Sequence, residues 1–273
     1  MTARPVFRKL LQGANGGEKV LPALRAALYD PDFPSFNIHV EGWANRPPDG
    51  WFHPSTHPLW PERMLYYYLM SPQDMVHDPF DPTGTIAVTL GSFLHSFVQI
   101  VGVRNGILER QPERCGCGTK HPERAEIYLE DREAGSRGHA DGALVSGEVF
   151  EFKSMNPAKA QKIPEGDPSS SIVVEAYRSL SPGYYLQAQE YLRMSGRESM
   201  VTVVMGTVYP FPMREVHIPY DRVEAMRIRE KYLRVRQAVA DQRLPLPCCS
   251  PGSKQAQQCP AREVCPIGRG IPS

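Results

Sequence analysis

Apolar and polar positions alternate with two periods along this chain, and the change of period marks its elements. Val20, Leu21, Leu24 and Leu28 recur at helical spacing and predict a short helix over residues 18–29. The stretch DPDFPSFNIHVEGWANRPPDGWFHP that follows is punctuated by proline and too aromatic for a free linker. It is expected to wrap the main body in extended form. A helix opens at Ser55, with Pro61 in a first-turn position, and runs through Leu65, Tyr66, Tyr67 and Tyr68 to Met70. Residues 86–109 are apolar on nearly every side and predict a buried helix.

Strand-type patterning then takes over. Residues 125–132 alternate enough for a strand, and GHADGALVSGEVFEFK, from Gly138 to Lys153, reads as two strands joined near Ser146 and Gly147. Residues 156–171, rich in Pro, Ser and Gly, predict a loop, and residues 181–194 a helix. Residues 199–209 and 213–220 give two more strands, and Asp221 with Glu224 caps a last helix reaching about residue 240. This order predicts an α/β fold, a central mixed sheet with strands near residues 125, 138, 148, 199 and 213 flanked by helices. Residues 1–54 form an accessory segment, 55–246 the main domain and 247–273 a cysteine-rich tail expected to fold back on it.

Composition changes this picture in three places. The 31 basic and 30 acidic residues leave a net charge of +1, so any phosphate-binding surface has to be local. Arg222, Arg227, Arg229, Lys231, Arg234 and Arg236 on the last helix are either that local patch or a solvated face. No signal-peptide core and no apolar run of about 18 to 20 residues is visible, which leads us to expect a cytoplasmic chain with no membrane partner. In a reducing compartment the six cysteines are thiols or metal ligands rather than a disulfide framework. The tail has too few branched apolar residues for a core of its own, yet holds Cys248, Cys249, Cys259 and Cys265, which suggests a metal staple.

The chemistry centres on Asp141, Glu151 and Lys153. Carboxylates on neighbouring strands hold a hard cation through oxygen, and a lysine beside them can serve the attacking water. Glu151 and Lys153, two apart, share a strand face. Asp141 joins them only if the connection has an odd number of residues or a bulge, as in a three-residue loop with glycine at positive φ. A two-residue turn would put Asp141 and Glu151 on opposite faces and destroy the site. The bland alternative is a surface hairpin with solvated charges.

Other residues gather around this centre. Gly91 lies one turn before His95, so the helix can approach a strand and offer the imidazole to a metal. Gln187 sits on one stripe with Tyr184 and Tyr191, where a buried amide needs partners. Tyr184, Lys159 in the loop after the site, and Arg63 beside the tyrosine run are candidate substrate contacts; core packing is the alternative for the tyrosines. Cys115, Cys117 and His121 in RCGCGTKHPE are candidate metal ligands, or the thiols of a surface loop.

Taken in order, Gly91xxxHis95, Gly138xxAsp141, Glu151xLys153 and Gln187xxxTyr191 resemble the RecB-like branch of the PD-(D/E)xK nucleases over residues 55–265. The nearest likeness is to the CRISPR-associated RecB-like exonucleases and their bacteriophage relatives. The resemblance implies a restriction-endonuclease-like core and a metal-dependent DNA exonuclease. The substrate would be single-stranded or frayed DNA ends in recombination, repair or phage DNA metabolism, in the cytoplasm of a bacterial or phage-infected cell. His95, Asp141 and Glu151 would bind Mg2+ or Mn2+, Lys153 would serve the water, and Gln187 and Tyr191 would brace the site and DNA. It further implies a 4Fe-4S cluster, for which Cys249, Cys259 and Cys265 with Cys115 or Cys117 are the expected ligands, Zn2+ being the alternative. The chain departs from the family where a cysteine is usual before the first motif, having Trp60, Pro61 and Arg63 there. Homo-oligomers and recombination or CRISPR-type partner proteins are further expectations. A non-catalytic DNA-binding or scaffold module, and a zinc-stabilised nuclease, remain as alternatives.

Overall fold

A computed structural model describes residues 17–28, 49–76, 82–111, 125–208 and 211–270. The elements in chain order are α1 (Leu21–Leu28), α2 (Glu62–Met70), α3 (Pro82–Arg104), β1 (Ile127–Asp131), β2 (Ser136–Ala140), β3 (Gly142–Ala143) and β4 (Val149–Met155). After these come α4 (Pro157–Ala160), α5 (Ser171–Leu180), α6 (Pro182–Ser195), β5 (Ser199–Gly206), β6 (Met213–Pro219), α7 (Arg222–Ala240) and α8 (Lys254–Gln257).

The central sheet is mixed and four-stranded, in the order β3-β4-β5-β6. β4 and β5 run parallel, while β3 and β6 are antiparallel to their neighbours. β1 and β2 pair separately as an antiparallel hairpin. The sequence predicts one strand near residue 138 in one sheet; the structure breaks it at Asp141, which lies in a bend between β2 and β3. The break separates the hairpin from the sheet and places the aspartate between them.

Alternation along β4 and β5 splits the core in two. Phe150, Phe152, Val201 and Val203 pack with Leu21 and Leu24 of α1 and Leu94, Val98 and Val101 of α3. Val149, Met155, Met200 and Val204 pack on the opposite side with α5, α6 and α7. The accessory helix α1 is tied to β6 by Glu215, whose carboxylate accepts from the backbone N–H groups of Lys19, Val20 and Leu21. Acceptors at a helix N-terminus satisfy donors that have no partner within the helix. The aromatic arm also docks: Phe52 N donates to Gly135 O, and Arg137 N donates to Phe52 O. The part of the arm over residues 29–48 lies outside the described residues.

Several expectations are corrected. Helix α5 falls just after the predicted loop and is capped by Ser170, whose side chain accepts from Val173 N. Its β-branched Ile172, Val173 and Val174 obscure the helical signal. The loop itself holds the short α4, capped by Asn156. By length and composition, α3 is long and apolar enough to cross a membrane, against the expectation that no such run exists. In this fold Leu94, Val98 and Val101 fill the core, and its polar residues turn to the site described below.

The basic run on α7 is largely engaged within the molecule. Arg227 pairs with Glu224, Arg229 with Asp131 and Glu133, and Arg234 with Glu62, while Lys231 donates to the carbonyls of Pro58 and Trp60.

Candidate active site

The connection between β3 and β4 decides whether the acids meet. Gly142 faces Phe150 and Ala143 faces Val149. Leu144 N donates to Glu148 O, so the loop is the three residues 145–147, and Gly147 has a φ of 108°. Only glycine takes that backbone readily. The same register carried one residue further sets Asp141 opposite Glu151. The odd loop that the sequence requires is therefore present, and the two acids share one space.

Each side chain is fixed by its neighbours. Asp141 Oδ2 accepts from Phe152 N at 2.8 Å and stands 3.1 Å from His95 Nδ1. Glu151 Oε2 is 3.4 Å from Asp141 N, and Lys153 Nζ donates to Glu151 Oε1 at 2.7 Å. Gln187 Nε2 donates to the same Oε1 at 3.1 Å and to Tyr191 Oη at 3.2 Å. Tyr191 in turn donates to His139 O at 2.7 Å. Gln187 Oε1 is buried with no hydrogen-bond partner. The ammonium of Lys153 lies 4.6 Å from the centre of the Tyr184 ring, a cation–π contact.

Small residues permit these approaches. A Cβ on Gly91 would come within 2.8 Å of Ser154 Oγ, so the glycine lets α3 lie against β4 and brings His95 to Asp141. The His95 ring meets Phe152 edge-on, with centroids 5.0 Å apart. A Cβ on Gly138 would lie 3.1 Å from Tyr191 Cε1, so the tyrosine reaches across β2 because that position is bare.

The charges are strongly coupled. Burial pushes the Glu151 carboxyl up, the negative Asp141 pushes it further, and Lys153 offsets only part, leaving it at about 7. Burial also raises Asp141, but the charge and hydrogen bond of His95, the Lys153 charge and the Phe152 N–H outweigh it and hold Asp141 below its ordinary value. Burial disfavours the charged forms of His95 and Lys153, yet the adjoining carboxylates dominate and raise both. Two acids with opposed shifts in one site are a pattern of acid–base and metal chemistry.

The other sequence-derived candidates fall in different places. Lys159 is exposed on α4, directly after β4. Arg63 is corrected: it is buried beneath the C-terminal segment, where its Nε donates to Pro245 O at 2.8 Å, so it is not presented to a substrate. Cys249, Cys259 and Cys265 line one cavity with Cys248, Arg63, Met64 and Tyr67. Cys115, Cys117 and His121 lie outside the described residues. Among the described residues, no three His, Cys, Asp or Glu side chains close on a common point at ligating range.

Two further residues belong to the site. Gln99 Nε2 donates to Asp141 O at 3.2 Å from one turn beyond His95. An amide four residues after a histidine on an apolar helix was the signal available. Tyr177 of α5 is buried, and its hydroxyl is held protonated well above its ordinary range by burial and then by the nearby Glu151 charge.

No family model matches the sequence, and no curated protein matches it. Solved structures give distant likenesses. A protein designated SSO0001 shares 14% identity over 98% of this chain and 99% of its own, with a TM-score of 0.42. An alkaline exonuclease, LHK-Exo, from Laribacter hongkongensis shares 13% over 71% of this chain and 89% of its own, with a TM-score of 0.46. A phage-related exonuclease from Haemophilus somnus 129PT shares 13% over 66% and 79%, with a TM-score of 0.42. At this identity and superposition, function has to stand on the side chains themselves.

Proposed function

We propose that this chain is a divalent-metal-dependent deoxyribonuclease that digests DNA from its ends. The observation that carries the reading is the pairing of two buried carboxylates, Asp141 in the bend before β3 and Glu151 on β4, with the Lys153 ammonium bound to the second at 2.7 Å. Two like charges enclosed together oppose ionisation, and Glu151 at about 7 records that conflict. A dication between them relieves it, and carboxylate oxygens suit Mg2+ or Mn2+. Asp141, Glu151 and His95 would hold the ion, and the unpartnered Gln187 Oε1 beside Glu151 offers an acceptor for a metal-bound water. When bound, such an ion polarises a phosphoryl oxygen and lowers the pKa of the attacking water.

The chain's own groups supply the rest. Lys153 is held protonated by the acids around it, so it acts as a fixed positive charge beside the scissile phosphate rather than as a base. Gln187 and Tyr191 hold Glu151 in place through the bonded chain that ends on His139 O. Tyr184 and Lys159 are the proposed DNA contacts, and single-stranded or frayed ends the proposed substrate, following the family resemblance. The same resemblance supports a thiolate-bound metal in the tail.

End dependence is tested with linear duplex, linear single-stranded and covalently closed circular DNA of one sequence, with Mn2+ or with EDTA. Linear DNA is expected to be lost only with the metal, and closed circles spared. Equal loss of closed circles overturns the exonuclease reading, and loss of none overturns the nuclease reading.

A further inference from the structure

We infer that the N-terminus of α6, with the Ser181 hydroxyl at its cap, is a phosphate-binding site that takes a backbone phosphate of the DNA strand next to the one being cut, an assignment that rests on the nuclease reading of the Asp141 and Glu151 centre.

Helix α6 opens without a working cap. Pro182 at the first position has no N–H, and the first bond of the helix runs from Tyr185 N to Ser181 O at 3.1 Å, so the N–H groups of Gly183 and Tyr184 have no acceptor within the helix. A serine at the N-cap ordinarily accepts from such groups through its hydroxyl. Ser181 makes no such bond: the residue is 5% exposed, and its Oγ is buried with no hydrogen-bond partner. A hydroxyl enclosed without a partner is costly, and folds seldom leave one without a reason. The first turn itself is open to solvent, since Pro182 is exposed and Gly183 and Tyr184 are half-buried. Together the hydroxyl and the two N–H groups offer three donors on four consecutive residues, an arrangement suited to receive a phosphate.

The same turn stands beside the reacting groups. Lys153 Nζ lies 4.6 Å from the centre of the Tyr184 ring, and Gln187, one turn along, donates to Glu151 Oε1 at 3.1 Å. Gly183 precedes Gln187 by four residues, about 6 Å along the helix axis. An anion at the mouth of α6 is therefore offset from the two carboxylates rather than placed on them. The helix N-terminus contributes about half a positive charge, and the Lys153 ammonium lies near it. Asp141 and Glu151 repel a phosphate until a metal is bound, so a strand needs an anchor outside their space to bring its scissile phosphate up to them. The α6 N-terminus supplies that anchor.

A labelled single-stranded oligonucleotide is titrated with wild type, Ser181→Asn and Ser181→Asp in EDTA, with unfolding midpoints measured alongside. Both replacements can cap α6 and they differ in charge alone, so a merely structural Ser181 gives them one Kd. Expected is a Kd for Ser181→Asp about three- to tenfold above that for Ser181→Asn, narrowing as salt rises. In a scan of single methylphosphonates, which carry no charge, the gap should close at one position near the bound end and persist at the others. Wild type should lose about three- to tenfold in affinity at that same position, which keeps the test intact should a variant fail to fold. Equal Kd for the two folded variants, or a wild-type scan with no such position, overturns the site. Phosphate-dependent binding of this kind without Mn2+-dependent release of nucleotides upholds the site and sinks the nuclease reading. Mn2+-dependent release with one KM for wild type, Ser181→Asn and Ser181→Asp does the reverse.

Discussion

Asp141 and Glu151 carry the same charge in one buried space and respond in opposite ways, because His95 and the Phe152 N–H serve Asp141 while Glu151 absorbs the repulsion. The sign of the pH effect follows. In the metal-free protein Glu151 titrates at about 7 instead of 4.5, so its contribution to stability is complete below 4.5 and is lost as pH rises through 7. That loss is worth at most about 3 kcal/mol. His95, also raised, acts in the same direction above 6.5, whereas Asp141 matters only below 3.8. Thermal unfolding in EDTA should therefore show a midpoint that falls between pH 5 and 8, and Glu151→Gln should flatten the lower part of that fall. Saturating Mn2+ should abolish it if, as proposed, the ion binds the ionised pair; an unchanged slope with Mn2+ would speak against ligation by Glu151. Gln187→Leu removes the amide that fixes Glu151 and should lower turnover about 10- to 100-fold with metal still bound. At this scale the sequence showed the acids, the lysine and the histidine, because strand period and loop parity dictate which faces they share. It did not show Gln99, on a helix read as buried core, or Tyr177, on a helix that the sequence pattern did not reveal. Arg63 was misplaced because nothing local to it reveals the tail folded over it.

Elements bring these residues together through close approach. Gly91 is the contact by which α3 meets β4, and the obstacle to a larger residue is a single atom, Ser154 Oγ. Gly91→Ala should therefore be neutral or destabilising in the wild-type background. In Ser154→Ala it should stabilise by up to about 1 kcal/mol, the gain of alanine over glycine in a helix. Denaturant unfolding of the four proteins measures the coupling, and an identical effect in both backgrounds would show that Gly91 does not set this packing. The caps were legible: Asp221 accepts from Val223 N and Glu224 N, as its spacing to Glu224 suggested. Helix α5 was not, because β-branched residues favour strands and its stability comes from burying Val173 and Tyr177. The strand break at Asp141 was equally hidden, since Gly138 and Gly142 read as flanks of one strand until Tyr191 and Ala125 are seen packed on them.

Across the whole molecule, the sheet separates two apolar layers, and the acidic site sits where the hairpin β1–β2 leaves that sheet. Helices from both layers reach it: α3 supplies His95 and Gln99, and α6 supplies Gln187 and Tyr191. Mixed α/β architecture was readable from the order of periods, whereas the division into two sheets depends on tertiary contacts that no local pattern encodes. Arg227, Arg229 and Arg234 of α7 are engaged with Glu224, Asp131, Glu133 and Glu62, so on the proposed function the DNA contacts are expected near the site rather than along that helix. The most direct test compares wild type with Asp141→Asn and Lys153→Met for Mn2+-dependent release of nucleotides from end-labelled linear DNA, with unfolding midpoints measured alongside. Wild type should release label only with the metal, and both variants should be folded and about a hundred- to a thousandfold slower, as expected when electrostatic stabilisation at the reacting phosphate is removed. Release by folded Asp141→Asn at the wild-type rate, or release by wild type undiminished in EDTA, would contradict a metal nuclease centre built on Asp141, Glu151 and Lys153.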